Sequence, residues 1–482
     1  MTAATTYTSR SSGVTGRLAT WLARTELADV PEDVRERAMH ILLDGIGCAL
    51  VGVRLPWSDI ATEAVLGLEG DGGRCELIGV GRSTTPSAAA LLNSSYVQSF
   101  ELDDYHPAAP VHSCSLVLPA LLSASAVRPA ASGADAVLGA ILGFEVGPRV
   151  GLALHGAEMI NRGWHPGPVF GGPSAAAAAG KLYRLGAAAY EDALGLAATQ
   201  AGGLMSAQFG AMSKRMQHGF AARNGVLAAA LAAGGYQGID QVFERDFGGF
   251  LSVFGEGHDP DSTQIDSELG ERWETLRIAI KPYAAMAGLH ASIDATRQLL
   301  ASHSPSSGDL RAIRIDVSEA AFHHGGWRAE RPLTTVGAQM NLAYAVAVTL
   351  LDGTALIQQF SDRRLESDDV WELIERTTVC HDEGFDERYE DGYNARVTLT
   401  LNDGTDRTGF VEHPRGGLRE PLANSEIVEK FRLLAGLVVD AGRAQAIEDV
   451  VLTLDRQPDL RSLVDLLSAP ARAVLDPEED RS

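Results

Sequence analysis

From Thr15 to about Gly270 apolar residues return every three or four positions, and that period is the strongest constraint this chain places on its own fold. Side chains three and four apart share one face of an α-helix, so this half reads as stacked helices rather than sheet. Pro31 followed by Glu32 and Asp33 suits a first helical turn. Further helices are expected over Ser87 to Leu102, Ser115 to Val127, Gly133 to Leu154, Gly172 to Leu185, Tyr190 to Ala207, Ala221 to Ala233 and Ile239 to Glu244. Their connections are short and glycine-rich, and alanine runs such as Ala175 to Ala179 favour helix.

After about Arg277 the period changes. Leu310 to Val317 alternates apolar and polar residues, as a strand does. Ala395 to Leu401 and Thr408 to Val411 flank Asn402-Asp403-Gly404, a hairpin signal. Helices are expected nearby at Ala285 to Ser302, Thr335 to Leu351 and Asp368 to Thr378, and again from Ser425, ending in an acidic frayed tail at Asp476 to Ser482. The expected fold is mainly α. It divides into a large helical domain (1–275), a smaller α+β lid domain (276–420) and a helical return to the first domain (421–482).

Charge narrows the partners. With 63 acidic and 40 basic side chains the formal net charge is −23, which argues against nucleic acid, because phosphate binding needs a basic surface. An anionic substrate would have to be met by cations gathered in one pocket. The four cysteines, Cys48, Cys75, Cys114 and Cys380, form no CxxC pair, so neither a zinc site nor a disulfide framework is expected. The apolar stretch from Ile41 to Val53 is too short and too interrupted to span a bilayer. A Ser/Thr-rich start without an acid before Glu26 reads as a polar tail or a transit peptide; the cytoplasm is the expected location, with no membrane partner.

Four stretches concentrate reactive side chains. Glu101, Asp103, Asp104, Tyr105 and His106 precede His112-Ser113-Cys114-Ser115; they serve either chemistry or helix capping around a buried loop. His165 lies in Gly163-Trp164-His165-Pro166-Gly167, ahead of a helix start that favours anions. Lys214 and His218 lie four apart in Ser213-Lys214-Arg215-Met216-Gln217-His218 and would share a helical face; the alternative is a solvated basic face. Lys281 opens the smaller domain, followed by Met286, His290 and Asp294, where a cleft between domains would lie. His323, His324 and Tyr344 are lesser candidates. Neither HExxH nor a dinucleotide fingerprint occurs, so neither metal nor nicotinamide is expected.

Taken in order, these stretches resemble the MmgE/PrpD family, and the resemblance covers nearly the whole chain. Leu43-Asp44-Gly45-Ile46, Glu101 to His106, Gly163-Trp164-His165 and Lys214 through Gly225 are most similar to its fungal decarboxylating branch. The resemblance implies a cofactor-free homodimer acting on a small tricarboxylate, with the site between the helical domain and the lid. The implied reaction is decarboxylation of cis-aconitate; dehydration of 2-methylcitrate and epimerisation are the alternatives on the same scaffold. It further implies His112, His165, Lys214, Asp104 and Tyr105 as catalytic, and Glu101, Asp103, His218, Lys281 and His290 as substrate-binding. A histidine carried by animal members falls on Met286, a departure that leaves His290 one helical turn away. His112 is the expected proton donor with His165 in reserve, Lys214 and Lys281 the expected anion stabilisers, and Asp103 or Asp104 the group that orients the imidazole.

Overall fold

The computed structural model describes residues 9–303, 306–386 and 393–475; the acidic tail expected from Asp476 lies outside them. The helical lobe contains α1 (Val14–Arg24), α2 (Glu32–Gly52), α3 (Pro56–Glu69), α4 (Pro86–Val97), α5 (Ser113–Val127), α6 (Gly133–Ala153), α7 (Gly156–Asn161), α8 (Pro166–Leu182), α9 (Ala187–Ala198), α10 (Ser213–Ala233) and α11 (Phe250–Phe254). Helix α8 is its axis and packs against α5, α6, α9 and α10. Ala175 to Ala179 are all fully buried. A Cβ at Gly225 of α10 would come within 2.5 Å of the Ala175 Cβ and the Gly172 carbonyl oxygen. Small residues therefore let these helices approach closely, and any larger side chain at Gly225 would push them apart.

Helix α6 is long and apolar enough to cross a membrane, yet 94% of that apolar window is buried inside the protein. Its buried Glu145 accepts hydrogen bonds from the amides of Glu274 (3.0 Å) and Thr275 (2.9 Å), and Arg149 donates to the carbonyls of Ser267 and Arg272. This pair anchors the irregular segment that leads to Lys281.

The smaller lobe contains α12 (His290–His303), α13 (Glu319–Gly325), α14 (Thr335–Gln339), α15 (Leu342–Asp352), α16 (Asp362–Leu365) and α17 (Asp368–Glu375). After a two-residue hairpin in the helical lobe, β1 (Cys75–Glu76) with β2 (Ser83–Thr84), its strands are β3 (Leu310–Val317), β4 (Thr377–His381), β5 (Ala395–Leu401) and β6 (Asp406–Val411). The sheet order is β4-β3-β5-β6; β4 runs parallel to β3, and the other pairs are antiparallel. Helices α12 and α15 pack together, and α12 lies against β5 and β6. Then α18 (Asn424–Val438), α19 (Ala441–Val451) and α20 (Arg461–Ser468) follow, and α18 lies along α2. Lys430 of α18, half-buried, forms an ion pair with Asp44 of α2 (2.7 Å) and donates to the Leu102 carbonyl (2.6 Å).

Several expected elements change at their ends, each for a local reason. The helix expected over Ser87 to Leu102 stops at Val97, and Glu101 adopts a left-handed φ of 56°. The helix expected from Gly172 starts at Pro166, where proline lacks only an amide that would have had no partner. Tyr190 to Ala207 ends at Ala198, before Gly202-Gly203, and Ile239 to Glu244 forms turns, not a helix. Thr335 to Leu351 breaks at Asn341, whose side chain caps Tyr344 at 3.0 Å. Asp368 to Thr378 stops at Glu375, because Thr377-Thr378-Val379 pairs with β3 as β4. The helix expected from Ala285 starts at His290. The one expected from Ala221 starts at Ser213, so Lys214 and His218 do lie on a helix.

Candidate active site

The site begins with a strained turn. Glu101 leaves α4 in a conformation that a side chain rarely adopts, a strain of about 1–3 kcal/mol, and it is 1% exposed. Its carboxylate collects three cations: Lys214 and Arg215 (2.5 Å) on Oε1, and Lys281 (3.0 Å) on Oε2. Burial opposes its ionisation, but Lys214, Lys281, Arg215 and His112 outweigh that and hold the carboxyl well below its usual range. Three cations on one carboxylate leave a locally positive centre inside a protein of net charge −23. Burial, with Arg215 and Lys281 nearby, lowers the pKa of Lys214, while Glu101 opposes the shift.

Each cation is placed by its element. Lys214 and Arg215 project from the first turn of α10. Arg215 also donates to the Gln339 side-chain oxygen (2.6 Å), and Gln339 donates to the Phe100 carbonyl (2.9 Å), so α14 of the smaller lobe is bonded to the helical lobe at the site. Lys281 follows an extended segment in which Ala279 exchanges both backbone hydrogen bonds with Tyr105 and the Ile280 amide donates to Gly416. Gly416 has φ 83°, and a Cβ there would lie 2.2 Å from the Ile280 oxygen.

Three imidazoles lie within electrostatic reach of these groups. His112 precedes α5, and its Nδ1 lies 3.1 Å from Asp103 Oδ2, at ion-pair distance but out of line for a hydrogen bond. Nδ1 is buried, which leaves Nε2 for the cavity. His165 precedes α8 and faces the Gln217 side-chain oxygen at 2.9 Å through Nδ1. That oxygen also accepts from the Leu204 amide, while the Gln217 amide nitrogen donates to the Leu204 carbonyl, both at 3.0 Å. The amide orientation is thereby set: Nδ1 carries the proton and Nε2 the lone pair. Burial, then Lys214 and His112, push His165 down to about 3, so it is neutral at pH 7. His218 sits between the two, its ring centroid 5.0 Å from each. It is fully buried and neither ring nitrogen has a partner. Burial, followed by His165 and His112, holds it well below the usual histidine range.

A cavity joins these groups. Glu101, Tyr105, His112, His165, Lys214 and Lys281 line it from the helical lobe and the junction; Met286, Ala287, Ala320, His324, Met340 and Tyr393 line it from the smaller lobe. Six of the ten site residues expected from the sequence thus face one space. Asp103 stands behind His112, and His218 behind both histidines. Two lie elsewhere. Asp104 accepts from the amides of Ser113 (2.8 Å) and Cys114 (3.0 Å) and caps α5; burial and then Asp103 raise its pKa well above the carboxylate range. His290 donates to the Ala285 carbonyl (3.1 Å), starts α12 and does not line the cavity. Arg215, Gln217 and Gln339 were not singled out from the sequence. Only Arg215 had a signal, its place in a basic cluster. His324, a lesser candidate, lines the cavity 3.2 Å from Asn161 and is pushed down to about 4, mainly by burial. Among the described residues no three His, Cys, Asp or Glu side chains gather as a metal site.

A cavity between a helical lobe and an α+β lobe, largely apolar but lined at one place by Glu101, Lys214, Lys281, His112 and His165, is the kind of site a two-lobed enzyme presents. The chain belongs to the MmgE/PrpD family: the MmgE/PrpD N-terminal domain model matches residues 16–263 and the C-terminal domain model residues 283–456. It is 43% identical over 491 aligned positions to the cis-aconitate decarboxylase of Aspergillus terreus (strain NIH 2624 / FGSC A1156), covering 98% of this chain and 100% of that one. It is 44% identical over 473 positions to the cis-aconitate decarboxylase-like protein oryM of Aspergillus oryzae, covering 94% and 97%. The cis-aconitate decarboxylase of Homo sapiens is 25% identical over 480 positions, covering 95% of each chain.

Proposed function

We propose that this protein decarboxylates cis-aconitate to itaconate and carbon dioxide, works as a homodimer and resides in the cytoplasm. The observation that carries the reaction is the buried Lys214–Arg215–Lys281 cluster on Glu101, with Lys214, Lys281 and His112 lining one cavity. Its likeness to the Aspergillus terreus decarboxylase over 98% of the chain selects the substrate. The free thiols of Cys48, Cys75 and Cys114, all buried, support a reducing compartment.

The bond between the methylene carbon and its carboxylate breaks, and carbon dioxide leaves. The electron pair shifts through the double bond into the conjugated carboxylate as an enediolate. The substrate thus supplies its own electron sink, so the reaction needs no cofactor. Lys214 and Lys281 stabilise the charge that develops on the carboxylate oxygens; cations fixed in a water-poor site do this without reorganising. His112, with Asp103 behind Nδ1, delivers a proton from Nε2 to the former vinylic carbon and completes itaconate. His165, neutral with its one N–H on Gln217, shapes the cavity wall and donates no proton.

Purified protein is mixed with cis-aconitate and, separately, with 2-methylcitrate, and the products are followed by proton NMR. Itaconate from the first and no product from the second is expected. Dehydration of 2-methylcitrate without itaconate would replace this reading with the dehydratase one.

A further inference from the structure

His106 belongs to the first of the reactive stretches, yet it does not line the cavity and the reaction above gives it no task. It is fully buried, while its chain neighbours Tyr105 and Pro107 both reach the cavity. Its backbone amide donates to the Val111 carbonyl (3.0 Å), and its Nδ1 accepts from the Ala109 amide (3.1 Å). These two bonds close the chain from His106 to Val111 into a tight loop immediately before His112. A backbone amide can only donate, so Nδ1 bears the lone pair and the proton sits on Nε2. That proton is donated to Glu274 Oε2 at 3.1 Å. Burial holds the ring below the usual histidine range and keeps it neutral.

Glu274 is placed as deeply. Its amide donates to Glu145, and its carboxylate has Arg272 at 2.8 Å from Oε1 and Arg277 at 3.4 Å from Oε2. Burial opposes its ionisation, but the hydrogen bond from His106 and the two arginines outweigh that and bring it down to about 2. Two runs of chain therefore lie side by side. One leads from Tyr105 to His112, the other from Glu274 to Lys281. Their backbones are joined where Tyr105 and Ala279 exchange hydrogen bonds. The bond from His106 to Glu274 is a second tie, made by side chains.

We propose that His106 is a positioning residue for the decarboxylation, fixing through Glu274 the separation between the proton donor His112 and the anion stabiliser Lys281. The proposal rests on the reaction read above and adds a residue to it. The chemistry makes that separation matter. Loss of carbon dioxide leaves one electron pair shared between the former methylene carbon and the former vinylic carbon. A proton added to the vinylic carbon gives itaconate; a proton added to the methylene carbon gives its methyl isomer, citraconate. Lys281 holds the enediolate and His112 brings the proton, so their spacing selects the carbon that receives it. A displaced donor slows the first outcome and leaves the second to water.

The test follows cis-aconitate turnover by the purified full-length protein, with products read by proton NMR, rates by steady-state kinetics and folding by circular dichroism. The native protein is expected to make itaconate alone. His106→Asn keeps an acceptor for the Ala109 amide, but its side chain stops short of Glu274. Its kcat is expected to fall about ten- to a hundred-fold with KM within about threefold, the pattern of a misplaced reacting group, and citraconate is expected among the products. His106→Gln, whose amide nitrogen extends to about the position of Nε2 and donates again to Glu274, is expected to restore most of the rate and itaconate as the single product. Loss of folded protein alone would lower the yield and leave the product ratio unmoved. Should the Asn variant fail to fold, Glu274→Asp takes its place with the same expectation, since it keeps a charge for Arg272 and Arg277 but withdraws the oxygen from Nε2. A folded Asn or Asp variant that makes itaconate alone at the native rate, or a Gln variant no better than the Asn one, overturns the role of His106 and leaves the reaction standing. A native protein that makes no itaconate overturns both.

Discussion

At the residue scale the site is a small number of groups whose charge states are set by their neighbours. Glu101 is ionised because three cations surround it, and those cations stay together because Glu101 holds them. Lys214→Ala is expected to lower kcat by about a hundred- to a thousand-fold, the usual loss on removing one preorganised partner of developing charge. His112→Ala is expected to abolish turnover. Itaconate formation measures both, and an unchanged circular dichroism spectrum separates lost chemistry from lost fold. Gln217 is a positioning residue, acting through His165. A Gln217→Glu substitution places a carboxylate about where the amide oxygen is, 2.9 Å from Nδ1, and favours the protonated ring. His165, now held at about 3, then titrates higher, and the acid limb of the kcat/KM profile moves to higher pH. A profile that does not move would show that turnover is indifferent to this charge.

At the element scale, helix ends carry the site: His112 precedes α5, His165 precedes α8, and Lys214 and Arg215 begin α10. Asp104 holds the first of these by accepting two amides of α5. Asp104→Ala is expected to destabilise the protein by about 1–2 kcal/mol in urea titrations, as loss of a helix cap does, and Asp104→Asn, which keeps an acceptor oxygen, by clearly less. Gly167 in the first turn of α8 makes room for His218: a Cβ there would lie 2.4 Å from His218 Nε2. Gly167→Ala is expected to reduce kcat by displacing the ring that separates His112 from His165, and to destabilise the fold by about 1–3 kcal/mol, the range for overpacking a core. Steady-state kinetics and thermal melts on the same sample check both.

At the scale of the molecule, the acidic exterior and the cationic pocket are separated by depth. The two lobes place Lys281, His324 and Met286 over Glu101, His112 and Lys214, and Gln339 bonds one lobe to the other. That junction has a consequence for stability against pH. His290, buried beneath it, is pushed down to about 3 by burial and then Lys281, whereas in the unfolded chain it titrates near the usual value of about 6.5. Between those values the unfolded state binds the extra proton, so the stability due to a neutral His290 is present above about pH 6.5 and is lost as the pH falls. At pH 5 the loss amounts to about 2 kcal/mol. The native protein is expected to lose that much more stability than His290→Gln between pH 7 and pH 5, as read from urea unfolding at each pH. Equal losses would mean that His290 is not held neutral.

Much of this protein was legible from its residues alone. Helical and strand periods are local properties, so α6, β3, β5 and the turn at Gly404 lie close to where the pattern puts them. The ordered polar stretches also led to the family and to six residues that now line one cavity. Other features depend on partners distant in sequence, and no local pattern carries them. Strand β4 reads as the end of a helix until β3 lies beside it. Asp104 and Asp103 are neighbours of one type, yet one caps α5 and the other stands behind His112, because a turn of the chain sends their side chains to different places. Gln217 and Gln339 are ordinary amides until folding brings His165 and Arg215 within hydrogen-bonding distance. Periodicity needs only the next turn of the chain; charge state, tautomer and the choice between cap and catalyst need the whole packed interior.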